Sequence, residues 1–225
     1  MNFFELLQES WPMFLRGLLM TLELAVVSLV IAMFVGLGSC LMNISRFRVL
    51  HWISQGYINI FRGTPLLVQA FFFYFGVPKA FGFTLNVFVA GVIALSLNAG
   101  AYLSEIFRSG IEAIPHGQME AARSLGMPRR TAMLKIILPQ AIRIVIPSVA
   151  NQWIISLKDT SIISCIGLAE LTMMGSQIVA RTYMSFEVWI CVGAFYFIII
   201  YALSKLSKFL EKRLSLVKSA DKEAS

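Results

Sequence analysis

The stretch EAARSLGMPRRTAMLKIILPQ, from Glu120 to Gln140, decides the fold because it places a charged helical segment, a Gly-Met-Pro break and a Leu-Pro exit inside a very apolar chain. Pro115, five residues before this stretch, suits the first turn of a helix. Gly126, within the stretch, suits a left-handed C-terminal cap. We therefore expect a short helix over residues 115–126. After it, Pro128 restarts a helix that leads into an apolar segment.

The short helix has one apolar side, formed by Met119, Ala122 and Leu125 at three-residue spacing. Two interpretations follow from this pattern. An amphipathic helix rests on a membrane surface, or it lies in the groove of a partner protein. The proline pair Pro139 and Pro147 is expected to interrupt or kink the helix that follows.

The rest of the chain is dominated by apolar segments. The protein has 225 residues, of which 58% are hydrophobic and 14% are charged. Crossing a bilayer takes about 20 consecutive apolar residues. The composition therefore predicts one all-α integral membrane domain over residues 1–225. The five predicted spans are Leu15–Met42, Ile53–Val77, Val87–Phe107, Ile136–Leu157 and Val188–Leu206, with Ile162–Met174 as a shorter re-entrant or interfacial piece.

The distribution of basic residues predicts the orientation. Arg46 and Arg48 follow the first span, whereas Glu5 and Glu9 precede it, and the positive-inside rule then places the N-terminus outside. An odd number of spans puts the C-terminus in the cytoplasm. The loops agree, because the basic residues concentrate in the loop between spans three and four and after span five.

Several classes of function are disfavoured. The excess of 19 Lys and Arg over 12 Asp and Glu is expected in cytoplasmic loops of a membrane protein, so we do not expect nucleic-acid binding. No G-x-x-x-x-G-K-[ST] loop occurs, and neither His51 nor His116 belongs to a metal-ligand or catalytic pattern. Three cysteines in or beside apolar segments predict buried thiols. We therefore predict no catalytic residue, no metal site and no bound cofactor.

The central loop resembles the signature of permease subunits of ATP-binding-cassette importers. The matching residues are Glu120-Ala121-Ala122, then Gly126 after three residues, Ile136 after nine more, and Leu138-Pro139. In that family the loop is a coupling helix that docks into a separate ATPase subunit. The resemblance therefore implies that Glu120, Ala121, Ala122 and Gly126 couple the chain to an ATPase, which uses ATP and Mg²⁺.

Further stretches resemble the polar amino-acid uptake branch of that family, the histidine, glutamine and arginine type. They are TLELA at Thr21–Ala25, FRGTPLLVQ at Phe61–Gln69, LSLNAGAYLSEIFRSGI at Leu95–Ile111 and SLKDTSI at Ser156–Ile162. The resemblance implies a type I importer fold in a bacterial cytoplasmic (inner) membrane. It also implies three partners: ATPase subunits, an extracytoplasmic amino-acid-binding protein, and a second permease copy that is identical or paralogous.

Ionisable residues at membrane depth are costly and mark cavities or partners. Glu23, about eight residues into the first predicted span, is a candidate for the substrate's ammonium group, or it is paired with another helix. Asp159 is placed toward the outer half of span four. There the sequence KDTS predicts a broken helix whose exposed backbone at Thr160 and Ser161 binds an amino acid; the alternative is a Lys158–Asp159 pair at the interface.

Two neutral residues, Gln69 and Asn98, either line the substrate path or hydrogen-bond neighbouring helices. Arg62-Gly63-Thr64-Pro65 is expected to bend or interrupt span two near its cytoplasmic end, as a gate or as a structural kink. Glu105 and Arg108 are spaced for an intrahelical pair near the cytoplasm.

The sequence thus favours the membrane subunit of an ATP-driven importer for a polar amino acid, working by alternating access. The alternatives are an ion- or proton-coupled carrier that uses Glu23 and Asp159 as relay groups, and a scaffold that anchors a cytoplasmic complex. The carrier leaves the central loop unexplained, and the scaffold leaves the acidic residues unexplained.

Overall fold

Helices account for all the regular secondary structure that the computed structural model describes, which covers the backbone of residues 2–223 and the side chains of residues 2–209. The helices are α1 (Phe3–Asn43), α2 (Arg48–Gly63), α3 (Leu66–Phe81), α4 (Val87–Glu112), α5 (His116–Ser124), α6 (Arg129–Ile166), α7 (Leu171–Thr182) and α8 (Ser185–Glu223).

Four of these helices are long and apolar enough to cross a membrane, namely α1, α4, α6 and the part of α8 up to Phe209. Helices α2 and α3 meet the same requirement only as a pair, which is bent by 107°. The described residues therefore contain five spans when the bent pair counts as one, as predicted.

Helix α1 begins at Phe3, not near Leu15 as expected. Its first turns are helical because they have apolar partners: Leu6 and Phe14 are fully buried in a cluster with residues of α7 and α8. Further along, α1 packs closely on α4. A Cβ at Gly36 would lie 2.8 Å from the Leu103 Cβ atom, so this close approach requires glycine.

Two of the spans contain a π-helical turn, and each turn lies directly before a proline. In α3 the turn Phe72–Gly76 precedes Val77-Pro78, and in α6 the turn Met133–Ile137 precedes Leu138-Pro139. Proline has no backbone N–H and therefore removes one hydrogen bond from an α-helix. The wider π turn changes the hydrogen-bond pattern at this point, so the helix continues past the proline. The predicted interruption at Pro139 is confirmed in this form, whereas Pro147 lies inside the helix.

The break predicted around Lys158–Ser161 is confirmed only in part: the α-helix ends at Asp159, but the chain continues as a 3₁₀ helix and does not expose its backbone there. Thr160 has helical backbone angles (φ −57°, ψ −31°), and the α-helical part of α6 passes directly into a 3₁₀ turn, Thr160–Ile166, before ending at Gly167 with φ +94°. The hydroxyl groups of Thr160 and Ser161 bond back to the carbonyls of Leu157 and Lys158, which helps to keep this segment helical. The expected re-entrant piece, residues 162–174, is this turn, a short loop and the start of α7.

Candidate functional site

The chain bends by 107° between α2 and α3, where the sequence predicted a kink. Thr64 is extended (φ −121°, ψ 145°), as expected for a residue before proline, and Pro65 starts α3. The Thr64 hydroxyl donates to the carbonyl of Ile60, so it helps to close the last turn of α2.

Two buried amides hold this bend in place. The Gln69 amide nitrogen donates to the carbonyl of Phe61 (2.9 Å) and to the hydroxyl of Thr64 (2.9 Å), and it lies 3.0 Å from the Thr64 carbonyl. The Asn98 amide nitrogen donates to the Gln69 side-chain oxygen (3.0 Å). Gln69 therefore acts on the bend itself, whereas Asn98 connects the bend to α4.

The bend lies at mid-height of α4, and the expectation of a position near the cytoplasmic end is wrong. Asn98, which contacts the bend, is near the middle of α4. Helix α2 packs along α4 up to the middle of that helix, where the Tyr57 hydroxyl donates to the Leu97 carbonyl at 2.6 Å. The whole length of α2 thus precedes the bend, which leaves it deep in the membrane domain.

A cavity of about 590 Å³ opens beside the bend. It brings together three of the elements singled out from the sequence: the Arg62–Pro65 bend, Asn98 and Asp159. The remaining wall consists of Leu66, Tyr102, Gln152 and Ile155. Tyr102 and Gln152 were not identified from the sequence, although each shares a helix face with a predicted residue, at four residues from Asn98 and seven from Asp159.

The cavity carries charges of both signs. The Arg62 guanidinium is 3.5 Å from the Glu105 carboxylate and its central carbon is 5.3 Å from the centre of the Tyr102 ring. Glu105 is held more strongly by Arg108 through two hydrogen bonds of 2.9 and 3.1 Å, which confirms the predicted intrahelical pair. Arg62 therefore has the longer and weaker of the two contacts with Glu105, and it lines the cavity.

Asp159 supplies the negative charge of the cavity. Among the described residues, no side chain donates a hydrogen bond to its carboxylate, and the neighbouring charge is that of Lys158. Thr160 and Ser161, which were predicted to act with Asp159, are not part of the cavity wall. Thr160 is fully buried, and both hydroxyl groups are engaged by the helix backbone.

Glu23 lies apart from the other candidates. Helix α1 starts at Phe3, so Glu23 lies in the middle of this 41-residue helix. Its side chain is on the exposed side of α1 and does not line the cavity. The structure therefore does not bring Glu23 together with Asn98 and Asp159.

The predicted short helix is α5, and Gly126 caps it with φ +82°. This left-handed residue allows the Met127 amide to donate to the Ala122 carbonyl at 3.1 Å. Residues without a Cβ adopt such angles without strain. The chain then turns sharply from α5 into α6.

Two of the three residues on the predicted apolar side of α5 pack against the protein itself. Met119 packs on the cluster formed by Ile114, Ile137 and Ala141, and Ala122 is 2% exposed. The physical reason is that burying the apolar side of α5 on this cluster is what holds the short helix against the rest of the protein. The outward surface is instead formed by Gly117, Glu120, Ala121, Ser124 and Leu125, and Leu125 is 83% exposed.

One fully buried acidic residue was missed by the sequence reasoning. Glu170 begins α7, and its carboxylate accepts hydrogen bonds from the Met173 amide (2.7 Å) and the Tyr196 hydroxyl (2.9 Å). Burial raises the pKa of the Glu170 carboxyl, while backbone hydrogen bonds from Thr172 and Met173 oppose that shift. An acidic residue just before a helix is the signal that would have identified this N-terminal cap.

Known proteins are similar to this chain in sequence and in overall fold. Residues 29–216 match the model of the family described as "Binding-protein-dependent transport system inner membrane component". The chain belongs to this family. Its members are permeases, and the resemblance stated from the loop and span sequences is thereby confirmed.

Individual relatives are similar over nearly the whole chain. The arginine transport system permease protein ArtQ of Bacillus subtilis is 41% identical over 203 residues, which is 90% of this chain and 93% of ArtQ. The L-cystine transport system permease protein TcyB of the same organism is 41% identical over 212 residues, covering 93% of this chain and 90% of TcyB. A solved amino acid ABC transporter crystallised with histidines has 41% identity and a TM-score of 0.90, covering 95% of this chain and 99% of that chain.

Proposed function

We propose that this permease is the transmembrane subunit of an ATP-driven importer that moves a polar amino acid into the cytoplasm by alternating access. The observation that carries the proposal is the cavity beside the α2–α3 bend, which presents Arg62 and Asp159 together at membrane depth. A free amino acid carries a carboxylate and an ammonium group, so its two charges match these two side chains. Relatives named for amino acids support this substrate class.

In this proposal the bend supplies a charged residue to the cavity and also connects the movements of α2, α3 and α4. Asn98 and Thr64 line the cavity and are tied to each other through Gln69. A movement of α3 relative to α2 therefore moves Gln69, the hydrogen-bond partner of Asn98, and Arg62 relative to each other. Two packings of comparable energy at this bend provide the two states that alternating access requires.

The exposed surface of α5 is the proposed docking site for a separate ATPase. Gly117, Ala121 and Ser124 are small and permit close approach of a partner backbone, while Leu125 projects as an apolar anchor. Glu120 lies beside them and is able to accept hydrogen bonds. Ala122 is buried and does not face the partner; it supports the docking site by packing α5 against the rest of the protein.

The proposal includes the partners implied by the family. ATP and Mg²⁺ act on the ATPase subunits, an extracytoplasmic binding protein delivers the amino acid, and a second permease copy completes the membrane part. The bacterial cytoplasmic membrane, with the N-terminus outside, is the proposed location. Two copies with separate cavities are compatible with either a homodimer or a paralogous heterodimer.

Uptake by reconstituted proteoliposomes tests this function. The chain is reconstituted with its ATPase, with and without the binding protein, and radiolabelled arginine, glutamine, histidine and cystine are supplied outside. We expect uptake that requires both ATP and the binding protein. Uptake driven by a proton or sodium gradient without the ATPase would instead support the ion-coupled carrier, and absence of any uptake would support the scaffold.

The variant Gly126→Asp tests the docking role of α5 in the same vesicles. Since φ at this position is +82° and an added Cβ has no neighbour within 4 Å, the side chain enters open space and chiefly perturbs the cap and the docking surface. We expect normal membrane insertion with loss of ATPase binding or of ATP-driven uptake. Normal transport by Gly126→Asp would count against docking through α5, and Gly117→Ala is the milder companion variant.

A further inference from the structure

Four side chains of alternating charge form a cluster between the cavity and the end of α4. The Arg62 guanidinium lies 3.5 Å from the Glu105 carboxylate. Arg108 donates two hydrogen bonds to Glu105, and two more, of 2.6 and 2.7 Å, to Glu112 at the end of α4. The predicted pair of Glu105 and Arg108 is therefore part of a larger cluster. The amino-acid contacts proposed above give no role to Glu105.

The two arginines hold Glu105 unequally. Arg108 is three residues away on the same helix, and its guanidinium donates to both carboxylate oxygens, so it fixes the position of that carboxylate. Arg62 comes from another helix and makes one contact with Glu105, which is longer than a good hydrogen bond. The Glu105 carboxylate is thus held in place, while the Arg62 guanidinium is the part of this contact that is able to move.

Arg62 lies between Glu105 and the cavity. It is part of the cavity wall, whereas Glu105 is not. Within the described part of the chain, the other group beside the Arg62 guanidinium is the Tyr102 ring, at 5.3 Å from its centre. Attraction to a ring face orients a guanidinium less strictly than two hydrogen bonds do. A small movement of the long Arg62 side chain therefore exchanges Glu105 for a group in the cavity.

An amino acid that enters the cavity brings a second carboxylate to the same guanidinium. In the empty cavity Glu105 is the carboxylate beside Arg62, and a charged side chain without such a partner is costly at membrane depth. Two carboxylates beside one guanidinium repel each other, since like charges at short distance disfavour each other. Glu105 and the carboxylate of the amino acid therefore compete for Arg62.

We propose that Glu105 is a positioning residue that competes with the substrate carboxylate for Arg62 and thereby limits how tightly the cavity holds its amino acid. The inference rests on the proposed function, because it requires an amino acid in the cavity. A transport site must bind its substrate and also release it, and binding that is too tight slows release. Glu105 favours release because Arg62 regains a carboxylate partner as the amino acid leaves.

Direct binding to the purified complex of the permease and its ATPase tests this competition. The binding protein is left out, so the dissociation constant that is measured belongs to the membrane site. The probes are radiolabelled arginine, glutamine, histidine and cystine, each measured alone. The test variant is Glu105→Gln. The matched control is Glu112→Gln, which also removes one carboxylate from Arg108 but none that contacts Arg62.

We expect Glu105→Gln to bind the amino acid about three- to fivefold more tightly, because the Arg62 and Glu105 side chains are 42% and 22% exposed and partly exposed ion pairs are weak. The maximal uptake rate in proteoliposomes should fall, since release is slower. The Glu112→Gln control should stay within about twofold of the unmodified protein in both measurements.

Two further measurements show whether the gain acts through Arg62 and a carboxylate. The gain should be absent for the corresponding amino-acid amide, in which a neutral group replaces the carboxylate. It should also be absent when Glu105→Gln is compared with the native residue in an Arg62→Gln background, because the contested guanidinium is then missing.

Binding by Glu105→Gln that is no tighter than binding by Glu112→Gln would overturn the proposal. Weaker binding would show that Glu105 holds Arg62 in place for the substrate. A gain that persists for the amide, or in the Arg62→Gln background, would also overturn it. Thermal melting of each complex shows that the variants are folded. If Glu105→Gln does not assemble, Glu105→Asp withdraws the carboxylate from Arg62 and should give a smaller gain; no gain there would overturn the proposal.

The uptake experiment separates this result from the proposed function. ATP-driven uptake with unchanged binding in Glu105→Gln would leave the importer in place and refute the competition. Tighter binding in Glu105→Gln, together with uptake driven by an ion gradient, would support the competition and refute the ATP-driven importer. Folded complexes that neither bind nor take up any of the four amino acids would refute both.

Discussion

Glu170 and Asp159 are both acidic residues in a chain dominated by apolar side chains, and the structure treats them in opposite ways. Glu170 is fully buried, and its two oxygens accept hydrogen bonds from Met173 and Tyr196. Asp159 lines a cavity, and no side chain among residues 2–209 donates to its carboxylate. The first carboxylate is satisfied by its own chain, and the second is available to a ligand.

The comparison teaches that burial and charge alone do not identify a binding residue. A buried acid with complete hydrogen bonds stabilises the junction between α7 and α8, because leaving its partners unpaired is costly. An acid without internal partners beside an open cavity has a free-energy reason to bind a cation. Four substitutions separate these roles, and we order them by the size of the expected effect.

Asp159→Asn is expected to have the largest effect on transport. A hydrogen bond to a charged group contributes about 1.5–3 kcal/mol, so removing the charge is expected to lower the initial uptake rate at low substrate concentration by roughly 10- to 150-fold. The thermal stability of the purified complex should not fall. Lys158→Gln, which changes the adjacent charge outside the cavity wall, is the matched control. Equal losses in both variants would show that Asp159 does not act as a specific contact.

Arg62→Gln is expected to reduce uptake by about tenfold, since the substrate carboxylate then loses one charged partner worth about 1.5 kcal/mol. Glu105 stays paired with Arg108, so the bundle is not left with an unpaired acid. Arg62→Lys keeps the charge and should retain part of the activity. An Arg62→Gln protein that transports normally would assign Arg62 to structure only.

Glu170→Ala is expected to act on stability rather than on transport. Removing the acceptor leaves the Tyr196 hydroxyl and the Met173 amide without their partner, at a cost of about 1–3 kcal/mol. The measurement is the melting temperature of the purified complex in detergent, with uptake normalised to the folded protein. Glu170→Gln keeps an acceptor for Met173 and should lose less. A loss of normalised uptake without loss of stability would make Glu170 part of the transport route.

Glu23→Gln is expected to have the smallest effect on transport, within about twofold in normalised uptake, because Glu23 does not line the cavity. Glu23 was predicted from the sequence as a substrate contact, and this variant decides that prediction. A loss as large as that of Asp159→Asn would place Glu23 on the substrate path. In an assembly of two copies, the exposed side of α1 would then have to face that path.

Sequence reasoning was most successful where a local rule applies. Pro115, Gly126 and Pro128 predicted the short helix and its cap, and the restriction that Pro65 places on Thr64 predicted the bend. It was less successful where distant elements decide the outcome. Two of the three apolar residues of α5 face the chain itself because a cluster on α4 and α6 needs covering, and that cluster is not visible from the spacing within α5.

The candidate site shows the same limit. Asn98, Asp159 and the Arg62–Pro65 segment were each selected from the sequence, but the reason that they meet is the path of α2 along α4. Thr160 and Ser161 were selected because a broken helix would expose their backbone, but the chain continues there as a 3₁₀ helix. Tyr102 and Gln152 share helix faces with selected residues, yet nothing in their spacing says which face is open.

By itself the sequence determined that this protein is a helical membrane protein with a capped loop helix, because bilayer thickness, proline and glycine act on consecutive residues; its resemblance to importer permeases indicated the family. Only the tertiary structure decided which polar side chains bond to each other and which face a cavity. The physical reason is that a carboxylate or an amide has the same local sequence signal whether its hydrogen-bond partner is present or absent, and that partner comes from another helix.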